Sequence, residues 1–148
     1  MMEDTILEVE NLRTSFATDA GSVQSVRGIT FHVGKGESLG IVGESGCGKS
    51  VTMLSIMGLL EDNASRQADA LLFDGEDLLK KSPREMRKIQ GNRIGMIFQD
   101  PMTSLNPVMT VGEQIAEVVR LHSHCQTAEA AVRAQEMLRM VGINEERY

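Results

Sequence analysis

The sequence has few aromatic residues and few cysteines, and both shortages narrow the possible functions. Tryptophan is absent and aromatic residues make up 3% of the 148 residues, too few for the stacking platforms on which single-stranded nucleic acid binds. The two cysteines, Cys47 and Cys125, cannot form the disulfide framework of a small secreted domain and favour a reducing compartment. The net charge of −6 also argues against a nucleic-acid partner, because nucleic-acid binders usually carry a basic excess.

Long hydrophobic runs are missing as well. The longest apolar stretch, residues 51–60, contains Thr52, Ser55 and Gly58, whereas a membrane span needs about 20 apolar residues. The first residues, Met-Met-Glu-Asp, lack the basic and apolar regions of a signal peptide. We therefore expect neither a membrane-spanning segment nor export by a standard signal. A hydrophobic fraction of 41% is typical of a globular chain.

The order of apolar and polar residues predicts a mixed α/β chain. The first two predicted strands are joined by a glycine-containing turn and indicate an antiparallel hairpin. The third is a short apolar run before a glycine, which is typical of a buried parallel strand. The predicted strands cover residues 5–13, 23–33, 38–42, 70–73 and 93–98. The predicted helices cover residues 49–60 and 83–90, a third helix begins at residue 111, and a fourth follows residue 127 and runs through residue 141.

Capping residues mark the ends of the later helices. Ser82 and Thr110 are each followed three residues later by glutamate, which is the pattern of a capping box. Thr127 is the predicted cap of the last helix, and Gly142 followed by Ile143 predicts a left-handed C-terminal stop with a hydrophobic contact.

Residues 43–50, GESGCGKS, match the phosphate-loop pattern of glycine, four residues, glycine, lysine and serine or threonine. Glycines let successive backbone N–H groups line an anion site, and the helix that follows adds its positive dipole end. In this pattern the lysine reaches the β- and γ-phosphates, and the serine hydroxyl binds Mg²⁺. The loop lies between a predicted buried strand and a predicted helix, as this chemistry requires. The motif alone predicts nucleotide binding without separating a kinase, a GTPase and a motor protein.

The residues around this loop resemble those of ABC ATPases. SLGIVGESGCGKSVTMLSIMGLL resembles the first core strand and helix of that superfamily, and IFQDP, residues 97–101, resembles its Q-loop. The run MTSLNPVMTVGEQI is more specific, because it is similar to the oligopeptide and dipeptide importer branch, which includes nickel and glutathione importers. The resemblance covers nearly the whole chain.

This resemblance implies a P-loop NTPase core of the ABC ATPase type with an N-terminal antiparallel β-subdomain and the start of a helical subdomain. The chain would be an incomplete, N-terminal part of one such domain. Its expected parts are the antiparallel sheet with the first core strand over 1–42, the phosphate loop and helix over 43–60, the segment up to the Q-loop over 61–100, and the start of the helical subdomain over 101–148.

The resemblance also implies roles for individual residues in binding ATP and Mg²⁺. Phe16 would stack on adenine, at a position where tyrosine is usual. Val51 replaces a frequent threonine and would keep only its backbone N–H for the α-phosphate. Gln99 would approach Mg²⁺ and the attacking water, and would act in catalysis with Lys49. Ser50 and Gln99 are the expected Mg²⁺ ligands, and the nucleotide-binding set is Phe16, Gly43, Glu44, Ser45, Gly46, Cys47, Gly48, Lys49, Ser50 and Val51.

The sequence contains no Leu-Ser-Gly-Gly signature, no apolar strand ending in Asp-Glu and no switch histidine after a further strand. Activation of water in phosphoryl transfer needs a positioned residue and a fully held Mg²⁺. We therefore expect the segment to bind nucleotide weakly and not to hydrolyse ATP alone. Unpaired sheet edges also lead us to expect self-association.

The intact subunit is expected to be an ATPase that drives import of peptides or related small solutes. Its expected partners are a second ABC ATPase subunit, identical or paralogous, and transmembrane permease subunits, on the cytoplasmic face of the cell membrane. Two alternatives remain: a soluble ABC-type ATPase in DNA repair or translation, and a non-catalytic module that uses the phosphate loop for assembly. The sequence does not name the transported solute.

Overall fold

A computed structural model describes residues 4–99 and 104–143. The chain divides into two compact units, residues 1–90 and 91–148, and each is described by itself. The first unit contains β1 (Thr5–Thr18), β2 (Gly21–Gly34), α1 (Lys49–Met57), β3 (Ala64–Gln67), β4 (Ala70–Phe73), β5 (Glu76–Asp77) and α2 (Pro83–Ile89). The second contains α3 (Val111–Ser123) and α4 (Thr127–Met140).

The first unit is built on an antiparallel sheet in the order β2-β1-β4-β5, with β3 also paired to β1. Strand β1 pairs with β2 along one edge, and with β4 and then β3 along the other. The predicted hairpin and the predicted strand over 70–73 are therefore confirmed. The short strands β3 and β5 were not predicted, because neither has an apolar alternation long enough to be recognised.

A bulge in β1 changes which side chains face the interior. Asn11 adopts a positive φ of 48°, and the pairing register shifts between Val9 and Leu12. Its N–H donates to Thr30 Oγ1 at 2.9 Å, and its Nδ2 donates to Asp69 Oδ2 at 3.0 Å. The extra residue allows Val9 and Leu12, three positions apart, both to be fully buried.

The core of the first unit lies between this sheet and the two helices α1 and α2. Its buried apolar side chains are Val9, Leu12, Val26, Ile56, Met57, Leu71, Phe73, Leu78, Met86 and Ile89. Helix α1 ends at Met57, three residues before the predicted end, because Gly58 takes a left-handed φ of 67°. The Leu59 N–H then closes the helix by donating to Leu54 O at 2.9 Å.

The second unit is a pair of helices with a small core of Val119 from α3 and Ala130, Ala134 and Leu138 from α4. The three buried α4 residues are four positions apart and so lie on one face of that helix. The predicted C-terminal stop is confirmed, because Gly142 has a φ of 79°. The Ile143 N–H donates to Leu138 O at 2.9 Å.

Three local predictions were wrong. Residues 38–42 and 93–98 are not strands in the structure, and no described segment pairs with residues 38–42. An apolar strand is held by ladder hydrogen bonds to its neighbours, so the pattern alone does not form one. Thr127 is the first residue of α4 and not its cap, which is Gln126 without a side-chain hydrogen bond.

Candidate nucleotide-binding site

Two glycines give the phosphate loop its shape. Gly46 has a φ of +81° and Gly48 a φ of +97°, a region that residues with a Cβ rarely adopt. A Cβ on Gly48 would lie 2.6 Å from the backbone oxygen of Ser25 in β2. The loop therefore packs directly against the β2 backbone, and only glycine fits at this contact.

The loop leads into the N-terminus of α1, and no side chain caps that end. Gly48 is the N-cap residue and makes no side-chain cap hydrogen bond. The first N–H groups of a helix have no partner within the helix and point beyond its end. Together with the helix dipole, these groups form a site suited to a phosphate anion.

The side chain of Lys49 folds over the loop that precedes it. Its Nζ donates to the backbone oxygens of Gly43 and Glu44, both at 2.7 Å, and lies 3.4 Å from Cys47 Sγ. The ammonium group is thus held over the loop. Ser50 follows in the first turn of α1 and is exposed, so its hydroxyl is accessible to a ligand of the loop.

The opposite end of α1 is held by two side chains of the same unit. The guanidinium of Arg66 donates to the backbone oxygen of Ser55 and, at 3.3 Å, to that of Leu78. Gln90 Nε2 donates to Met57 O at 2.7 Å. Burial lowers the pKa of Arg66, but its positive charge still lies at the negative end of the helix dipole. These bonds fix the helix that carries the phosphate loop.

A cavity of about 720 Å³ lies between β2 and the phosphate loop. One wall is the β2 segment, and the opposite wall is the loop with the start of α1. A nucleotide is of a size that fits a pocket of a few hundred Å³. The lining residues are Val23, Gln24, Ser25, Val26, Arg27, Gly28, Ile29, Ile41, Val42, Gly46, Cys47, Gly48, Lys49 and Thr52.

Phe16 does not line this cavity but lies beside it. It is half-buried and is directly paired with Val23, which lines the cavity and is 53% exposed. Directly opposite residues of an antiparallel pair lie on the same face of the sheet. Phe16 therefore extends the face of β2 that forms one wall of the cavity.

Two further predicted site residues, Val51 and Gln99, are not among the residues that line the cavity. Val51 is half-buried in α1, and its backbone oxygen accepts a hydrogen bond from Ser55 Oγ at 2.6 Å. Gln99 belongs to the second unit and is exposed. Asp100 and Pro101, which complete the predicted Q-loop, lie outside the described residues.

Sequence analysis missed the contribution of β2 to the site. Val26 interrupts the alternation of apolar residues in this strand, yet it is buried. Gly28 has a φ of +99°, and the β1–β2 register is irregular on both sides of residues 13 and 14. These irregularities turn Val26 inward. The break in the apolar alternation at Val26 is the one feature of the sequence that could have indicated that β2 lines the cavity.

Comparison with known proteins gives a consistent family assignment. Residues 26–148 match the family model described as ABC transporter. The probable peptide ABC transporter ATP-binding protein y4tR of Sinorhizobium fredii is 53% identical over 95% of this chain and 42% of its own length. The dipeptide transport ATP-binding protein DppD of Bacillus subtilis is 50% identical with the same coverage. The glutathione import ATP-binding protein GsiA of Shigella flexneri is 48% identical over 95% of this chain and 23% of its own length.

Solved structures agree on the fold. The dimeric bacterial ABC transporter cassette MJ0796 superposes with a TM-score of 0.80 at 22% identity, over 95% of this chain and 59% of that one. The structure of cbiO1 from Clostridium perfringens, part of the cbiONQ transporter complex, gives a TM-score of 0.67 at 26% identity, over 98% and 53%. The expected fold, a partial ABC ATPase domain, is confirmed.

The chain spans under half the length of the curated relatives named above. In the described part of the chain, no helix is both long and apolar enough to cross a membrane. The family match, the identity to transport ATP-binding proteins and the phosphate-loop geometry agree with one another. The chain belongs to the ABC transporter family of nucleotide-binding proteins.

Proposed function

We propose that this chain binds ATP through the phosphate loop, residues 43–50. The observation that carries the proposal is the position of the Lys49 ammonium over a loop that opens into an uncapped helix N-terminus. Gly46 and Gly48 hold the loop backbone in left-handed conformations, which lets consecutive N–H groups face one anion. Gly43, Glu44, Ser45 and Cys47 supply the remaining backbone of the phosphate cradle.

The base of the nucleotide would lie on the face that Phe16 and Val23 share. Val23 is half exposed and lines the cavity, so it offers apolar surface next to the Phe16 ring. An aromatic ring and a neighbouring aliphatic side chain are suited to a planar base. Val51 would contribute only its backbone N–H to the α-phosphate.

Ser50 is the residue of the loop that would hold Mg²⁺, with Gln99 as a second oxygen donor. Hydroxyl and amide oxygens are hard ligands of the kind that Mg²⁺ accepts, usually together with phosphate oxygens and water. Bound Mg²⁺ would neutralise charge on the phosphates. In hydrolysis, Lys49 would hold the terminal phosphates and Gln99 would orient the attacking water.

In the longer proteins of this family, we propose that the site hydrolyses ATP to drive import of peptides or related small solutes. Curated relatives are named as peptide, dipeptide and glutathione transport proteins, which supports this reading over a soluble ATPase in DNA repair or translation. The subunit would lie on the cytoplasmic membrane face, with a second ATPase subunit and transmembrane permeases as partners. This chain alone would bind ATP weakly without turnover.

Residues 102–114 are the proposed contact region for a permease, together with the basic stretch of residues 80–93, which contains six Lys and Arg residues and one acidic residue, Glu85. Gln114 fixes the described part of this loop, because its Oε1 accepts from the Asn106 N–H at 2.9 Å and its Nε2 donates to the Asn106 oxygen at 3.1 Å. A loop tied to α3 in this way can present a defined surface to a partner.

Calorimetric titration with Mg·ATP tests the binding proposal. Lys49→Ala should weaken ATP binding about 10- to 100-fold, because it removes charge-assisted hydrogen bonds to phosphate. Lys35→Ala is the matched control, since Lys35 is an exposed lysine in the turn after β2. Equal affinities for the wild-type chain and Lys49→Ala would contradict the proposal.

A further inference from the structure

A buried pair of hydroxyl groups joins the sheet to the helix that carries the phosphate loop. Thr14 Oγ1 in β1 and Ser55 Oγ in α1 are 2.7 Å apart. Both residues lie in the core, with exposed fractions of 1% and 0%. A buried hydroxyl group is costly unless it has a hydrogen-bond partner, and this contact supplies one across the interface between β1 and α1.

The direction of the hydrogen bond follows from the neighbouring acceptor. Ser55 Oγ donates its single hydrogen to Val51 O at 2.6 Å. Ser55 Oγ can therefore only accept from Thr14, and Thr14 is the donor of the pair. The bond from β1 thus ends on a hydroxyl that is itself fixed to the first half of α1.

The position of Thr14 places this bond between the two halves of the proposed ATP site. Thr14 is paired with Val26 of β2 on one side and with Arg66 of β3 on the other. It precedes Phe16 by two residues in β1, whereas Ser55 lies in the same helix as Lys49. Arg66 and Gln90 hold backbone oxygens near the C-terminal end of α1. The other α1 side chains buried against the core include Ile56 and Met57, whose apolar packing is not directional.

We propose that Thr14 and Ser55 are positioning residues, which fix α1 at one place along β1 and so set the distance between the adenine face and the phosphate loop. This inference rests on the proposed ATP site. A nucleotide has a fixed span from base to phosphates, so both ends bind well only when this distance is correct. The affinity of a ligand that occupies only the phosphate loop does not depend on this distance.

The test compares Mg·ATP with Mg·tripolyphosphate, which lacks the base, by calorimetric titration. Thr14→Val removes the donor at nearly constant volume, and Ser55 Oγ keeps its bond to Val51 O. We expect ATP affinity to fall about five- to tenfold, the effect of one lost buried hydrogen bond, while tripolyphosphate affinity stays unchanged. Ser55→Ala removes the acceptor and should give the same selective loss.

Two control variants accompany these measurements. Thr14→Ser keeps the hydroxyl and should retain the wild-type ratio of the two affinities. Ser15→Ala removes a hydroxyl from the next residue of β1, whose bond to Ser65 Oγ at 2.9 Å is exposed and does not reach α1. This variant should also retain the ratio.

An equal loss for both ligands in Thr14→Val and Ser55→Ala, or no loss for either, would overturn the inference. So would failure of both variants to show a cooperative thermal unfolding transition, because the pair would then be needed for folding itself. Failure of the wild-type chain to bind either ligand would instead contradict the proposed function itself, on which this inference rests.

Discussion

Single residues of the phosphate loop are constrained by backbone contacts as well as by ligand chemistry. Gly48 is the clearest case, since it combines a positive φ with a close approach to the Ser25 backbone oxygen. Neither constraint depends on a bound nucleotide. Substitutions here should therefore affect the stability of the protein as well as its affinity for ATP.

We predict that Gly48→Ala lowers the free energy of unfolding by at least about 1–3 kcal/mol, the cost of a left-handed conformation for a residue with a Cβ. ATP affinity should fall as well, because the loop must move away from β2. Chemical denaturation and calorimetry measure the two effects. Gly40→Ala is the control, since no described residue beyond its chain neighbours has an atom within 4 Å of its Cβ position, and its φ is not in the left-handed region. Similar effects for both variants would refute the prediction.

Cys47 offers a second test at the loop. Its side chain is exposed and lies close to the Lys49 ammonium, and a Cβ on Gly43 would lie only 2.7 Å from its sulfur. We predict that alkylation of Cys47 blocks nucleotide binding, because the adduct crowds the loop. ATP titration after mass-verified alkylation checks this.

Cys47→Ser supplies the control for the alkylation experiment, because Cys125 remains as the other thiol. This variant should bind ATP to the same extent before and after treatment. Unchanged ATP binding by the alkylated wild-type chain would show that the loop accommodates the adduct.

The backbone shape of the phosphate loop could be anticipated from the sequence because the motif occupies eight consecutive positions, while the binding roles of its residues stay a prediction. Lys49 and both left-handed glycines lie where the motif requires. Thr14 and Ser55 could not be predicted as a pair, because they are 41 residues apart and both residue types are ordinary in strands and helices. The contact of Gly48 with Ser25 depends in the same way on how β2 packs, which no local pattern specifies.

At the scale of elements, the two capping boxes were predictable to the residue. Ser82 and Thr110 both form complete capping boxes with Glu85 and Glu113. All partners lie within three residues of each other, so local sequence determines them. Residues 38–42 and 93–98 were predicted wrongly because a core strand depends on distant partners.

The capping box of α3 leads to a prediction about pH. Hydrogen bonds from the Thr110 backbone N–H and hydroxyl hold the pKa of Glu113 below its ordinary value of 4.5. Its contribution to helix stability is therefore fully present above pH 4.5 and is lost as the pH falls from 4.5 through the lowered pKa. Thermal unfolding followed by circular dichroism between pH 7 and pH 3 measures this loss.

Glu113→Gln provides the comparison, because glutamine can make the same capping-box bonds without titrating. The variant should lose less stability than the wild-type chain over the same pH range. Parallel pH profiles for the two proteins would show that the Glu113 carboxylate does not contribute as described.

At the scale of the whole chain, apolar side chains remain exposed in both units. Val42 is 94% exposed in the first unit and Ile97 is 96% exposed in the second. Residues 38–42 also have no strand partner among the described segments. Exposed apolar side chains next to unpaired backbone favour association between molecules.

We predict that the chain self-associates, with a mass by light scattering that exceeds 16.2 kDa and rises with concentration. A double variant with Val42→Lys and Ile97→Lys should shift the chain toward the monomer, because two exposed charges oppose association. The control is the double variant Ser22→Lys and Asn92→Lys, which adds the same charge at two exposed polar positions and should leave the association unchanged. A monodisperse monomer at all concentrations would contradict the prediction.

The bulge at Asn11 has a consequence for insertions and deletions in β1. The residue acts as a spacer between two halves of one strand, so Val9 and Thr14 can both face inward although they are an odd number of positions apart. Deleting one residue at the bulge would leave them four positions apart and still on one face, whereas straightening the strand at its full length would place them on opposite faces. With the present length of β1, the hydroxyl that meets α1 shares a face with the apolar core because the bulge takes up the odd residue.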